Sequence, residues 1–553
     1  MNVSFLSKIG HFFLAFFFFL ILSAGLGEWS QVGSHIHQVV SELPLLLLMY
    51  FLLYTMQKNN QTFLKRFLIA ILPIVILYLI YDYYFLTFNA PFRISYFTNV
   101  FELIEVLSFW QIIVALLVLG LPLLLVFWSI DIRKKTPIYS FVSVVGFIAI
   151  TLVYFPKQII NYVEAITPGN FYQHTLVMDN GRFIATLYSE AKRRLALEQL
   201  SFTDGLLNDS RLETLSKPFS QTSTPNKDVF IVVLESFVNK QDFKGLQMIS
   251  VDGFDDKLTK KIEFSHSLSP VFGGLTPRAE FEVLCGVPSY AKFGANEFDL
   301  IENDGLSCLP NILKRQGYLT IATNPYKPIY FNEKNAYHGL GFEDINFLEQ
   351  FSGNSESYLK MRMPTKGYVF DGDLFKENVN YLKDIKEKNP DKPIFSYIMT
   401  LYGHTPFYLV NDQKPVFEHN STISSALNRS LNLSAYTEQA LSNYLEAIHK
   451  ISPNALVLVL GDHLPPMPRG KLDYEQAGLL GAQANKLYQT PRLFMDNQAR
   501  LFQNSPLKHY EFFDLILDNL QDGKLCEKQS CQHSKETLSN LYDSIMFKAM
   551  TQK

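Results

Sequence analysis

The stretch "VLVLGDHLPP" ends an apolar run with Gly461, Asp462 and His463. Adjacent Asp and His offer an oxygen and a nitrogen to one divalent cation if the backbone turns there. "IVVLESF" puts Glu235 at the end of another such run, and "FGGLTPRAEFEVLCG" sets Thr276 after two glycines and before Pro277. Glycine lets backbone approach a ligand closely, and proline favours the first turn of a helix. The Thr276 hydroxyl would then stand at a helix start, where a phosphate is well received. Taken singly, each feature has an ordinary alternative: a solvated Asp–His pair, a capping carboxylate, an N-cap threonine.

Their placement argues for more. From residue 229 onward, the runs "VFIVVLES", "YLTIAT", "PIFSYIMT" and "ALVLVLGDH" alternate with helical stretches. Near-continuous apolar runs of this length suit strands buried on both faces, and the alternation argues for an α/β sheet. Each run leads into a polar cluster: Glu235, Asn324, His404, then Asp462 with His463. Ligands of open α/β sheets gather beyond the carboxyl ends of strands, so the four clusters are expected to form one site.

The apolar residues of the chain crowd into its first 155 positions. Five segments, near 9–26, 39–56, 67–86, 106–128 and 138–156, are read as transmembrane helices of about 20 residues. The first resembles a signal peptide in its apolar content, but it has no obvious small-residue cleavage site and further spans follow. Lys58, Lys65 and Arg66 follow the second span, and Arg133, Lys134 and Lys135 follow the fourth. Positive loops stay in the cytoplasm, so the amino terminus is expected inside and everything after about residue 157 outside. Residues 157–200 read as a juxtamembrane helical region, and "SKPFSQTSTPNKD" at 216–228 as a linker. The expected domains are therefore 1–156 in the membrane, 157–226 as connector and 227–553 as the exported α/β domain. A net charge of −3, with no long basic run, argues against nucleic acid as a partner.

With these residues in place, the sequence resembles the alkaline phosphatase and sulfatase superfamily, and within it the lipoteichoic acid synthase-like enzymes. The resemblance rests on Glu235 in "VLESF", Thr276 in "GGLTPRAEF", His404 in "YGHTPF", Asp462 and His463 in "GDH", and the five amino-terminal spans. It implies a sulfatase-like catalytic domain in which Glu235, Thr276, Asp462 and His463 hold one divalent metal, Mn²⁺ or Zn²⁺. Thr276 is then the nucleophile on the phosphorus of a lipid headgroup, and an acceptor hydroxyl attacks the phosphothreonine. His404 would bind the phosphate or exchange a proton.

The segment "TNPYKPIYFNEKNAYHGLGF" resembles the stretch that contacts the headgroup in that branch, but departs from it. Asn324 stands where the branch has His, Phe331 where it has Trp, and Glu333 where it has the Arg that binds phosphoglycerol. A carboxylate there attracts an ammonium group, so phosphatidylethanolamine is expected as donor in preference to phosphatidylglycerol; the alternative is a Glu333 that points to solvent. Asp371 or Asp373 in "GYVFDGDLF" is expected to orient site groups or cap a helix. His266, His338 and His449 lack a strand-end context and read as ordinary polar positions.

All four cysteines, Cys285, Cys308, Cys526 and Cys531, fall in the exported half. Disulfides are expected in an oxidising compartment. Three pairings are open, and sequence proximity favours Cys285–Cys308 with Cys526–Cys531. This points to a Gram-negative periplasm, and hence to lipopolysaccharide, lipooligosaccharide or a periplasmic glucan as acceptor. Phosphoethanolamine transfer to an envelope glycolipid is the leading expectation. Phosphoglycerol transfer to a periplasmic glucan or polymer comes next, then a phosphodiesterase or sulfatase-type hydrolase, then a membrane-tethered binding protein.

Overall fold

The structure, a computed structural model, describes residues 3–30, 36–94, 109–166, 177, 179–201, 227–352, 357–410, 412–419, 421–480, 484–497, 499–501, 506–528 and 531–551. The chain falls into two compact units, residues 1–202 and 203–553.

In the first unit, helices occupy all five expected spans: α1 (Val3–Ser30), α2 (Ile36–Met56), α3 (Phe63–Phe88), the pair α4 (Phe109–Ala115) and α5 (Leu121–Ser129), and α6 (Lys135–Tyr154). A π-helical turn, Leu116–Gly120, joins α4 to α5. Among the described residues, four stretches are long and apolar enough to cross a bilayer: Ile9–Ser30, Phe63–Phe88, Ile112–Ser129 and Lys135–Tyr154. The span expected at 39–56 lies within the 21 residues of α2, whose described apolar part is Glu42–Met56. Glu42 of this helix is buried. The start of the span expected at 106–128 lies outside the described residues. Large apolar side chains of α5 and α6, such as Phe127 and Phe147, are mostly exposed, as helices facing lipid would be.

The two basic loops meet at one end of this bundle. Asp131 N–H donates to Met56 O at 2.8 Å and Lys58 N–H to Ser129 O at 2.9 Å. Another polar cluster ties in the helices that follow the spans, α7 (Pro156–Ile166) and α8 (Arg182–Ser201). Arg182 binds Asp82 of α3 through Nε and Nη2, both at 2.6 Å. Glu42 Oε1 accepts the Phe183 N–H at 2.5 Å, capping the start of α8, where backbone donors have no helical partner. Tyr81, Phe85, Ile160, Val163, Ala185 and Tyr188 pack together around this joint.

The second unit is built on a nine-stranded sheet among the described residues, ordered β4-β3-β5-β1-β6-β7-β2-β9, with β8 beside β7. The four expected runs form β1 (Val229–Leu234), β3 (Leu319–Asn324), β5 (Ile394–Met399) and β6 (Leu456–Gly461), all mutually parallel. β4 (Asp344–Phe347) extends the parallel part. On the other side β7 (Gln489–Asp496) is antiparallel to β6, and β2 (Ser265–Leu268) antiparallel to β7. The short strands β8 (Ala499–Arg500) and β9 (Leu507–Lys508) complete the sheet. β1 is buried along its whole length. Its Phe230, Val232 and Leu234 join one core with Leu374 and Phe375 of α12 (Asp371–Lys388) and Leu441 and Tyr444 of α13 (Ser425–Ile451). Burial on this scale fixes the strand register, and with it the height at which each strand releases its polar cluster. The other helices of this unit that bear on the site are α9 (Thr276–Cys285), α10 (Leu309–Arg315), α11 (Glu333–Leu340), α14 (Glu511–Asn519) and α15 (Lys535–Thr551). The linker expected at 216–228 lies outside the described residues except for its last two.

Candidate active and metal site

The parallel register pairs Leu234 with Gly461, so the next residues of the two strands, Glu235 and Asp462, emerge side by side. Asp462 Oδ1 accepts backbone N–H groups from Ser236 at 2.7 Å and His463 at 2.6 Å. That leaves Oδ2 for the cleft. His463 Nδ1 lies 3.0 Å from Leu464 O. A proton on Nδ1 satisfies that carbonyl and leaves the Nε2 lone pair for the cleft, the usual arrangement of a metal-binding imidazole. The Glu235 N–H donates to Thr400 Oγ1 at 3.1 Å, directly after β5. Gly403 follows in that loop, and a Cβ there would meet Glu235 O at 2.0 Å, so only glycine lets the His404 loop pass so close.

Thr276 arrives from the other side. Gly273, Gly274 and Leu275 all have positive φ, at 72°, 151° and 64°, and this left-handed run turns the chain sharply into α9. Leu275 carries a side chain in that conformation, a strain of the kind held at functional sites. Thr276 Oγ1 lies 2.8 Å from Asp462 Oδ2, 3.3 Å from Glu235 Oε2 and 3.3 Å from His463 Nε2. All four residues are buried.

Glu235, Asp462 and His463 form a buried group whose ligand atoms lie within 4.8 Å of one another. Burial, followed by the negative charge of Asp462, pushes the Glu235 carboxyl well above its ordinary pKa. The groups acting most strongly on it are Asp462, Ser236 and Thr276, none a cation. Two buried carboxylates in one space call for a compensating positive charge, and two acidic oxygens with one imidazole nitrogen suit Mn²⁺ or Zn²⁺. The residues therefore fit a divalent ion.

His404 hydrogen-bonds Thr405 O through Nδ1 at 2.7 Å and meets the Tyr368 ring edge-on at 4.9 Å. Burial, chiefly, lowers its pKa. Asn324 closes β3, and its Nδ2 donates to Glu333 Oε2 at 2.6 Å. Glu333 is buried at the start of α11, not pointing to solvent. Phe331 is half-buried and has φ 50°. Asp371 is buried and accepts hydrogen bonds from Thr437 Oγ1 at 2.7 Å and the Tyr402 N–H at 3.4 Å, so it braces the loop carrying His404. Asp373 is exposed. His266 pairs with Asp242 at 3.0 Å, His338 is exposed, and His449 lies in the last turn of α13. Cys285 bonds Cys308, joining the end of α9 to the start of α10, and Cys526 bonds Cys531.

One residue stood in the motif without a role. Glu280 lies one helical turn after Thr276, fully buried. Its Oε2 accepts the hydroxyls of Tyr337 at 2.7 Å and Tyr397 at 2.8 Å, while Oε1 has no hydrogen-bond partner. Burial pushes its pKa up to about 7 against those two hydroxyls. The signal in the sequence was its spacing: four residues after Thr276 places it on the same helix face.

A family model, Sulfatase, matches residues 227–516. A Rhizobium meliloti (strain 1021) protein provisionally named for cyclic beta-1,2-glucan modification is 21% identical over 263 residues, 46% of this chain and 38% of its own length. An uncharacterised Haemophilus influenzae (strain ATCC 51907 / DSM 11121 / KW20 / Rd) protein is 27% identical over 290 residues, 48% of this chain and 50% of its own. The matched region is thus half or less of each of these relatives. The structure of a Streptococcus pyogenes phosphoglycerol transferase in complex with sn-glycerol-1-phosphate is 16% identical, with a TM-score of 0.45, over 65% of this chain and 92% of that one. The family match covers more than half of the 553 residues and every site residue from Glu235 to His463; the chain belongs to the sulfatase family.

Proposed function

We propose that this chain is a phosphotransferase of the lipoteichoic acid synthase-like branch, moving phosphoethanolamine from a membrane phospholipid to an envelope glycolipid through a phosphothreonine at Thr276. The observation that carries the proposal is the convergence of the Thr276 hydroxyl, at 2.8–3.3 Å, on three candidate metal ligands from two different strand ends. A divalent ion held by Glu235, Asp462 and His463 would supply positive charge that favours the Thr276 alkoxide and stabilises the phosphoryl oxygens. The four donors, with the Thr276 oxygen among them, are read as its ligands.

Thr276 attacks the donor phosphorus, and its hydroxyl proton passes to the oxygen of the departing diacylglycerol as that P–O bond breaks. His404, neutral because burial lowers its pKa, then takes the proton of the acceptor hydroxyl as that oxygen attacks the phosphothreonine. The same ring, once protonated, returns that proton to the Thr276 oxygen as its P–O bond breaks, which restores the starting state. Support for an ammonium headgroup comes from Glu333, whose buried carboxylate is held by Asn324, with Phe331 in the same turn. The membrane helices support a phospholipid donor, phosphatidylethanolamine first. A cell inner membrane setting, with the catalytic unit in the periplasm, agrees with loop charge and with the disulfides. Lipopolysaccharide or lipooligosaccharide is the acceptor we favour.

A second reading is phosphoglycerol transfer to a periplasmic glucan. It is favoured by the provisional name of the Rhizobium meliloti relative. The test is release of labelled diacylglycerol from phosphatidylethanolamine and from phosphatidylglycerol vesicles by the full-length protein with Mn²⁺ or Zn²⁺. Faster release from phosphatidylethanolamine is expected, and exclusive use of phosphatidylglycerol would favour the second reading.

A further inference from the structure

Beside His404 lies a run of aromatic side chains to which the catalytic chemistry gives no task. Tyr368 meets His404 with ring centroids 4.9 Å apart, Tyr326 meets Tyr368 at 6.1 Å, and Tyr330 meets Tyr326 at 5.4 Å. Phe331, already placed beside the headgroup with Glu333, follows Tyr330 at 4.3 Å. All four aromatic residues are half-buried, so each keeps part of its surface accessible. It reaches the site itself, because Tyr368 packs against His404.

The run is built, not incidental. Phe331 and Asn332 have consecutive positive φ values of 50° and 57°, a conformation costly for a bulky residue. The Asn332 side chain holds the turn by donating to Phe298 O at 2.9 Å and Ile301 O at 3.1 Å. A fixed, strained loop that holds half-buried rings beside a reaction site is a binding surface formed in advance.

The arrangement indicates what binds. A cage for an ammonium ion needs ring faces converging on one point. Here neighbouring rings stand edge to face, at 66–90°, and are strung out in steps about as long as one hexose. Such a strip suits an extended ligand with apolar C–H faces and hydroxyl edges, and the tyrosine hydroxyls supply matching polar contacts.

We propose that Tyr326, Tyr330 and Tyr368 form the acceptor subsite, a platform for the sugar rings of a glycan whose hydroxyl is delivered to His404. This deepens the transferase reading and rests on it. The covalent step is the one already given: the acceptor O–H loses its proton to His404, the new O–P bond forms, and the P–O bond to Thr276 breaks.

The test is direct binding, which does not depend on turnover. The full-length protein in nanodiscs is titrated with a deacylated lipooligosaccharide core, with cyclic β-1,2-glucan, and with glycerol as a hydroxyl compound lacking a ring. At least one of the two glycans should bind more tightly than glycerol. Tyr326→Ala and Tyr368→Ala should each weaken that binding about three- to tenfold, the range of an aromatic contact, with little effect on glycerol. Tyr326→Phe keeps the ring and should stay within about twofold of wild type. Binding of both glycans that is absent in the wild type, or as tight in both alanine variants, overturns the assignment. Failure of the transferase reading looks different: a glycan binds through the tyrosines, but no diacylglycerol is released from either phospholipid.

Discussion

Replacing Glu235 by glutamine should move two properties of the protein in opposite directions. Glu235 and Asp462 offer ligand atoms within 4.8 Å of each other in a buried space. At that separation, and an effective dielectric of about 20, two full negative charges repel by roughly 3 kcal/mol. The metal-free protein avoids part of this by keeping Glu235 protonated, the sense of its raised pKa. For a carboxyl whose folded pKa lies above its unfolded value, stability is lost as pH rises through the folded pKa. Glutamine removes that loss while leaving an oxygen for the Ser236 hydroxyl, now 2.7 Å from Glu235 Oε1. At mildly alkaline pH without metal, Glu235→Gln should therefore melt about 5 °C higher than wild type, from up to ~3 kcal/mol in a domain of this size. The advantage should vanish at mildly acid pH. Metal affinity should fall by more than about 100-fold, since changing even the partners behind metal ligands costs 10–100-fold. Differential scanning calorimetry across pH, with and without Mn²⁺ or Zn²⁺, reads both effects. A variant less stable than wild type when metal-free at alkaline pH, or one with unchanged metal affinity, would refute the reasoning.

Three further perturbations separate parts of the account. Glu333→Gln should lower kcat/KM for phosphatidylethanolamine about 10–100-fold, the range of a hydrogen bond to a charged group, and spare phosphatidylglycerol; equal losses on both donors in a vesicle assay would deny the headgroup role. His404 should give transfer an acidic limb below the ordinary histidine value of 6.5, because burial lowers its pKa. His404→Gln should remove that limb and slow transfer about 10²–10⁴-fold, and a limb that persists in the pH–rate profile would assign it elsewhere. Asp82→Asn strands Arg182, which it now binds at two 2.6 Å contacts. About 3–5 kcal/mol of destabilisation is expected, seen as lower thermal stability in detergent, with partial recovery in Asp82→Asn/Arg182→Gln.

Much of this was legible because burial and chemistry coincide at strand ends. The runs before Glu235, Asn324, His404 and Asp462 are apolar on both faces, so only a central parallel sheet could house them, and such a sheet gathers its polar ends. β7 and β2 were not read: "QTPRLFMD" carries Pro491 and Arg492 inside the strand, which hides its period. The orientation of Glu333 was also beyond sequence reasoning, since it depends on the two left-handed residues before it. Glu280 was visible only as a helix-face neighbour of Thr276; its two tyrosine partners come from α11 and β5, far away in the chain.

The most direct measurement is intact-protein and peptide mass spectrometry of the full-length protein, quenched in acid while turning over phosphatidylethanolamine with metal and no acceptor. A phosphoethanolamine adduct on Thr276 is predicted, lost on adding acceptor and absent from Thr276→Ala. An adduct on another residue, or turnover by Thr276→Ala at the wild-type rate, would contradict the assignment of the nucleophile.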